Sequence, residues 1–324
     1  MDGLVGSRIG PYFVESLLGE GGVASVYRAR HVALGSAHAL KLLHVIAPSL
    51  KRRLQLEGSI QACVRHPNIV SVTDWVEHEG LVGLVMEYVD GMDLEALMAS
   101  GPLSVAWVDR LAHGLFDGVR AVHEAGYIHR DLKPANVLVA RLPSGELLPK
   151  IADFGLAKHL GSGRGKTRDG ALMGTPAFMS PEQVLDSSDT DERTDVWAIA
   201  AILYELCTGR PAFPGDDFQA MVAVTSAEPV CPSALRSGLP ERMVAAIRAG
   251  LVKSRSQRVQ SVADLASVWS GQRRVTSPRA ASTAGHLSLL VRPAASAPKR
   301  VPASERGRRQ GTAALVHSMR SNST

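Results

Sequence analysis

No apolar run in this sequence approaches the roughly 20 residues that a bilayer-crossing helix needs, and the first residues carry neither a basic start nor a signal-type apolar stretch. The expectation is a cytoplasmic protein without a membrane span. Cysteine is scarce: Cys63, Cys207 and Cys231 are odd in number, far apart and without paired-ligand spacing, which argues against a disulfide framework and against a zinc site. They read as reduced, mostly buried thiols. The 11 histidines show no metal-ligand spacing, and no internal repeat is present. What remains is a chain of 324 residues, 45% apolar, enough for one large or two modest cores.

The net charge of +5 and the pI of 9.3 belong largely to one end. Ten of the 36 basic residues lie after Gly271, against a single acid there, Glu305, so residues 1–271 hold 26 basic and 30 acidic residues and carry −4 while the tail carries +9. That tail is rich in Ser, Ala, Pro and Arg, offers little apolar surface to offset ordering entropy, and is expected to stay unfolded. It is either a solvated linker or a polyanion or partner contact.

From Tyr12 to about Leu43 apolar residues alternate around glycines, the period of antiparallel strands. Residues 51–65 have helical spacing and stop at His66-Pro67-Asn68, because proline restricts the residue before it. Leu81 to Tyr88 reads as a further strand. After Asp90-Gly91 the spacing turns helical near 93–99, 104–125, 195–208, 217–226, 240–252 and 261–269. Between the second and third of these lies a long irregular stretch with short apolar runs at 136–139 and 150–152, which points to function there.

Three sets of residues carry the chemistry. Gly19, Gly21 and Gly22 sit between two period-2 segments and form a hairpin tip, either a plain tight turn or a loop whose amides close over phosphates. A strand follows them, so the dinucleotide-binding fold lacks its required helix. Lys41 ends the strand-like run 37–40, and Glu57 on the next helix could neutralise it; otherwise the two are unrelated surface charges. The third set, His129 to Val139 (HRDLKPANVLV) followed by Asp153-Phe154-Gly155, resembles the protein kinase family, and the resemblance runs from about Ile9 to Trp269.

The resemblance implies an α+β, bilobal protein kinase fold, with a small N-terminal antiparallel sheet bearing one main helix and a larger, mainly helical C-terminal lobe. Residues 1–11 would precede a kinase domain at 12–271, divided into lobes at about 12–89 and 90–271, with 272–324 as the basic tail. It also implies ATP as substrate and Mg2+ as the metal, with Mn2+ as a substitute. Leu18, Gly19, Glu20, Gly21, Gly22, Val23, Ala24, Ser25 and Val26 would form the nucleotide loop, and Lys41 and Glu57 the pair that holds the phosphates. Val26, Ala39 and Leu138 would sandwich adenine, with Met86 beside the hinge of Glu87 to Val89, and Asp93 near the ribose. Asp131 would accept the proton of the attacking hydroxyl, while Asn136 and Asp153 would present oxygens to the metal. Asp195 would brace the catalytic loop, His129 would be structural, and Glu182 and Arg258 would form a buried ion pair.

Lys133, two places after Asp131, together with Gly174-Thr175-Pro176, resembles the serine/threonine branch; Thr175 would tie Asp131 to Lys133. The paired glycines and Met179-Ser180-Pro181-Glu182-Gln183 look most like bacterial members. Arg130 would pair with a phosphate on the activation segment, for which Thr167 is the candidate. Ala24 departs from the usual third glycine, Ser180 from alanine and Ser254 from aspartate, and none of these removes a catalytic group. The expected partners are proteins with Ser or Thr acceptors; nucleic acid is not expected, though the tail leaves polyanion contact open, and dimerisation is not excluded. A nucleotide-binding scaffold without turnover and a small-molecule phosphotransferase are the rival readings.

Overall fold

The computed structural model describes residues 2–44, 47–154, 175–185 and 190–273. Gly155, Thr167, Gly174 and the basic tail from residue 274 onward lie outside them.

In the small lobe β1 (Arg8–Ile9), β2 (Tyr12–Glu20), β3 (Ala24–His31), β4 (Ala37–Leu43), β5 (Val72–His78) and β6 (Leu81–Glu87) form one antiparallel sheet in the order β1-β2-β3-β4-β6-β5. Side chains alternate across a strand, so β4 divides its residues between two clusters. Leu40 and Leu42 join Tyr12, Val14, Tyr27 and Val85 on one face. Ala39 and Leu43 join Ala24, Leu54, Leu84 and Met86 on the other. Lys41 lies between Ala39 and Leu43 and shares their face, on the side where α1 (Pro48–Cys63) packs Leu54. That helix starts three residues before the predicted 51, because Pro48 occupies its first turn, where a missing N–H costs nothing.

The large lobe opens with β7 (Gly91–Asp93), α2 (Leu94–Ala99) and α3 (Val105–Glu124), and β8 (Val137–Arg141) and β9 (Leu147–Ile151) pair beside β7. It continues with α4 (Pro181–Leu185), α5 (Arg193–Thr208), α6 (Asp217–Ser226), α7 (Pro232–Leu235), α8 (Glu241–Gly250) and α9 (Val262–Trp269). Helix α5 is apolar nearly all round and therefore central: Val196, Trp197, Ile199, Ile202 and Leu203 are buried against Leu111, Leu115 and Val119 of α3 and Leu265 and Trp269 of α9. Gly209, at φ +70°, ends it in the left-handed conformation that glycine adopts without strain.

The lobes are joined through backbone. Val70 N–H donates to the Ile151 carbonyl at 2.9 Å, Ile151 N–H to the Asn68 carbonyl at 2.8 Å, and Asn68 Nδ2 to the Pro149 carbonyl at 2.8 Å. Lys150 of β9 reaches Glu87, at the end of β6, at 2.8 Å.

The predicted helices of the large lobe correspond to α2, α3, α5, α6, α8 and α9, and the short apolar runs lie within or against β8 and β9. Strand β5 had no clear signature, since it is the sheet edge and most of its side chains meet water. The thiols need correction: Cys207 is buried, but Cys63 and Cys231 are exposed. One ends α1 and the other precedes α7, where neither is covered.

At Gly91 a Cβ would fall inside the Val139 carbonyl, 2.9 Å from its carbon, and because the obstacle is the backbone of β8 it cannot swing aside as a flexible side chain could. Gly91→Ala is expected to destabilise the chain by about 1–3 kcal/mol, measured by urea unfolding.

Candidate active site

Lys41 is the meeting point of the two lobes. Its Nζ lies 2.8 Å from Glu57 Oε1 and 2.7 Å from Asp153 Oδ1, with 14% of its side chain exposed. Burial alone would lower the Lys41 pKa, but the two carboxylates more than offset it, so the ammonium is held charged. Asp153 shows the converse: burial would raise it, and Lys41 brings it below the carboxylate range. For Glu57 burial wins and its pKa is raised in spite of Lys41. Asp153 takes a left-handed backbone, φ +54°, just after β9. Phe154 beside it is buried with Ile60 and Val64 at the end of α1 and with Ile69 and Val122, so the position of α1 and that of Asp153 are set together.

The run from His129 to Asn136 is built around its own backbone. The buried Asp195 carboxylate accepts the N–H of His129 at 2.8 Å and of Arg130 at 2.9 Å. His123 Nε2 donates to the same carboxylate at 2.8 Å. Burial would raise Asp195, but these donors hold it below its usual range. His129 accepts from Asp131 N–H at Nδ1, 3.3 Å, so Nε2 carries the proton and donates to the Ala152 carbonyl at 3.1 Å. Its ring lies 5.0 Å from that of Phe154. Asn136 Nδ2 donates to the Asp131 carbonyl at 2.8 Å and to Asp131 Oδ2 at 3.2 Å, which leaves Oδ1 as an acceptor. Lys133 Nζ is 3.8 Å from Asp131 Oδ2. Since Ala152 N–H donates to the Asn136 carbonyl at 2.9 Å, Glu57, Lys41, Asp153, Asn136, Asp131 and Lys133 are linked by consecutive short contacts and one peptide bond.

Ala39 and Met86 are buried in one apolar cluster against which Val26, Val89 and Leu138 pack. Ala24 is buried in that same cluster, so its methyl is turned inward. Leu18, Gly19 and Glu20 end β2; Gly21, Gly22 and Val23 form the tip, where Gly21 N–H donates to the Ala24 carbonyl at 2.9 Å. Ser25 is 1% exposed and its hydroxyl meets His44 Nε2 at 2.7 Å, so that side chain is committed inside the lobe. Asp93 Oδ1 caps α2 by accepting Ala96 N–H at 2.7 Å.

Thr175 is exposed and lines a small pocket with Arg130, Asp131 and Lys133. Glu182 meets Arg258 through both oxygens, at 2.7 and 2.9 Å, and the Arg258 side chain is 0% exposed. Sequence reasoning did not single out the roles of His123, Lys150, Asn68 or Gln183. Each bonds a group far away in the chain, and no local period announces such a partner.

Burial would raise Glu182, but Arg258 holds it low. A depressed carboxylate adds stability that is present above its unfolded pKa of about 4.3 and is lost as pH falls through the folded value. Glu182→Gln leaves Arg258 buried without its counter-charge and should cost about 3–5 kcal/mol at pH 7. In urea unfolding, the gap between parent and variant should narrow as pH falls below about 4.

The protein kinase domain family matches residues 12–270. The serine/threonine-protein kinase Pkn1 of Myxococcus xanthus is 34% identical over 266 residues, 81% of this chain and 38% of Pkn1. Serine/threonine-protein kinase pkn3 of the same organism is 35% identical over 316 residues, 92% of this chain and 58% of pkn3. The chain thus spans less than two thirds of the length of either. The crystal structure of the Mycobacterium tuberculosis PknI kinase domain superposes with a TM-score of 0.63 at 27% identity, over 83% of this chain and 99% of that one. With a match across most of its length and the bilobal fold described above, the chain belongs to the protein kinase family, among relatives named as bacterial serine/threonine kinases.

Proposed function

We propose that this protein transfers the terminal phosphate of ATP to serine or threonine hydroxyls of other proteins. The observation that carries this reading is the continuous linkage from Glu57 and Lys41 through Asp153 and Asn136 to Asp131 and Lys133. Phosphoryl transfer has a loose, highly anionic transition state, so a protein contributes mainly by positioning and neutralising charge, which is what such a set provides.

In this reading Asp131 orients the acceptor hydroxyl and takes its proton, and Lys133 faces the transferring phosphoryl group. Asn136 holds Asp131 through Nδ2 and keeps Oδ1 for a cation. Asp153 spends Oδ1 on Lys41 and remains 41% exposed, so it too can offer oxygen. Among the described residues no group of three or more His, Cys, Asp and Glu is arranged to hold a metal. Two oxygen ligands completed by water and phosphates suit Mg2+, with Mn2+ as a substitute. Bound there, the metal supplies positive charge at the phosphate oxygens. Lys41 binds phosphate, and the cluster of Val26, Ala39, Met86 and Leu138 receives the adenine.

Thr175 is assigned to the acceptor groove, and Thr167 to regulation by phosphorylation. Arg130 supports the latter: burial lowers its pKa, and its buried Nε has no hydrogen-bond partner, so a phosphate would satisfy it. A kinase domain at 12–271 followed by a basic tail is the organisation we adopt. A cytoplasmic setting is in keeping with a described chain in which no helix is long and apolar enough to cross a membrane.

With radiolabelled ATP and a generic protein substrate, Asp131→Asn should lower kcat at least about 100-fold. Label that moves undiminished in the variant, or only onto small molecules, would sink the reading. Phosphopeptide mapping of the active protein should find Thr167 modified. Ala135 is exposed beside Asn136, where a carboxylate would be needed to pair with a substrate guanidinium. A peptide array should therefore show weak preference for arginine before the acceptor, and a strict arginine requirement would contradict this.

A further inference from the structure

Arg130 stands directly before Asp131 in a left-handed backbone conformation, φ +66°. A residue with a Cβ is kept there only when its neighbours over-determine it. Two side chains hold its peptide groups from opposite sides. Asp195 of α5 accepts the Arg130 N–H at 2.9 Å. Gln183 of α4 donates Nε2–H to the Arg130 carbonyl at 2.7 Å. The second contact concerns the carbonyl of the peptide bond that leads into Asp131.

The other end of the same amide is also used. Gln183 Oε1 accepts the Ser180 N–H at 3.0 Å and lies 3.4 Å from Ser180 Oγ. Its partners fix its orientation, because a carbonyl can only accept and an N–H can only donate. Ser180 ends the stretch 175–180 whose residues Thr175, Phe178 and Met179 line one pocket with Asp131 and Lys133. From Ser180 the bonding continues away from the site: Ser180 Oγ is 3.3 Å from Thr194 Oγ1, and Thr194 donates to Glu182 Oε1 at 3.1 Å. Glu182 is held by the buried Arg258. One amide therefore ties the acceptor stretch to the catalytic loop, and its near end is anchored in the core.

Side-chain chemistry narrows what can stand at 183. The position needs a donor and an acceptor at once, on a stem of two methylenes. A carboxylate lacks the donor, an ammonium lacks the acceptor, and asparagine is one carbon short.

We propose that Gln183 is a positioning residue for phosphoryl transfer: its amide registers the acceptor stretch 175–180 against the Arg130 carbonyl and so sets the backbone from which the Asp131 side chain projects. This rests on Asp131 being the proton acceptor. Displacing a reacting group by a fraction of an ångström acts on turnover, not on nucleotide binding, because among the described residues the Gln183 side chain bonds the catalytic loop and the acceptor stretch.

The test compares Gln183→Met, which keeps the volume and removes both bonds, with Gln183→Glu, which keeps the acceptor for Ser180 and removes the donor to Arg130. Steady-state kinetics with ATP and a protein substrate are read beside the melting temperature. Both variants are expected to lower kcat about tenfold while KM for ATP stays within about twofold. Q183E is expected to melt close to the parent, so it carries the test if Q183M folds poorly. Parental kcat in Q183E overturns the proposal, as does a loss confined to KM. Asp131→Asn, assayed in parallel, tests the underlying assignment separately: an active D131N removes the proton-acceptor role, whereas an inactive D131N with a fully active Q183E removes only the role of Gln183.

Discussion

A lysine ammonium with little access to water is stable only where negative charge meets it, and Lys41 meets two carboxylates within 2.8 Å. The remaining architecture supplies them. Period-2 alternation turns Lys41 to the face of β4 that carries Ala39 and Leu43, where α1 brings Glu57. Asp153 comes from the other lobe, and Phe154 beside it packs under the end of α1. Moving α1 away would leave Lys41 with one counter-charge and open the apolar cluster around Phe154 at the same time. The ion triad and that cluster therefore favour the same arrangement of the two lobes.

The large lobe solves a different problem, holding an irregular loop whose backbone has no ladder to join. Asp195 does this from α5, the most deeply buried helix, by accepting two successive N–H groups of the loop. The cost of burying that carboxylate is offset by the donors converging on it, with His123 as a third. Positive φ occurs at Arg130 and Asp153, where the chain must turn sharply to present Asp131 and Asp153 itself. Strain is thus stored beside the carboxylates of the candidate site, and the surrounding hydrogen bonds offset it.

Much of this was legible in the chain. Alternation marked the strand that Lys41 ends and helical spacing marked the helix that carries Glu57, though not that the two would meet, and the same spacing located α2, α3, α5, α6, α8 and α9 to within about two residues while the short α4 and α7 gave no signal. Other contacts left no such trace. Lys150 and Glu87 are 63 positions apart, and Gln183 and Arg130 are 53 apart. Their partners are backbone carbonyls or single carboxylates that any fold could bring near. The glycine-rich hairpin shows a subtler limit: Ser25 belongs to the predicted loop by position, yet its hydroxyl is turned inward to His44, so membership of a run does not fix which way a side chain faces.

The bonds between lobes divide into two kinds, with different consequences for motion. Asn68, Val70 and Ile151 exchange backbone hydrogen bonds, which tolerate rotation poorly because both partners are fixed within their own segments. Lys41 to Asp153 and Lys150 to Glu87 are side-chain ion pairs on flexible stems, and these can lengthen while the backbone stays put. Opening and closing of the cleft should therefore turn about the Asn68–Ile151 junction, with the lysines following. A pivot there keeps the end of α1 and Phe154 in contact throughout, so the cleft can open and close without dismantling the cluster that sets Asp153 in place.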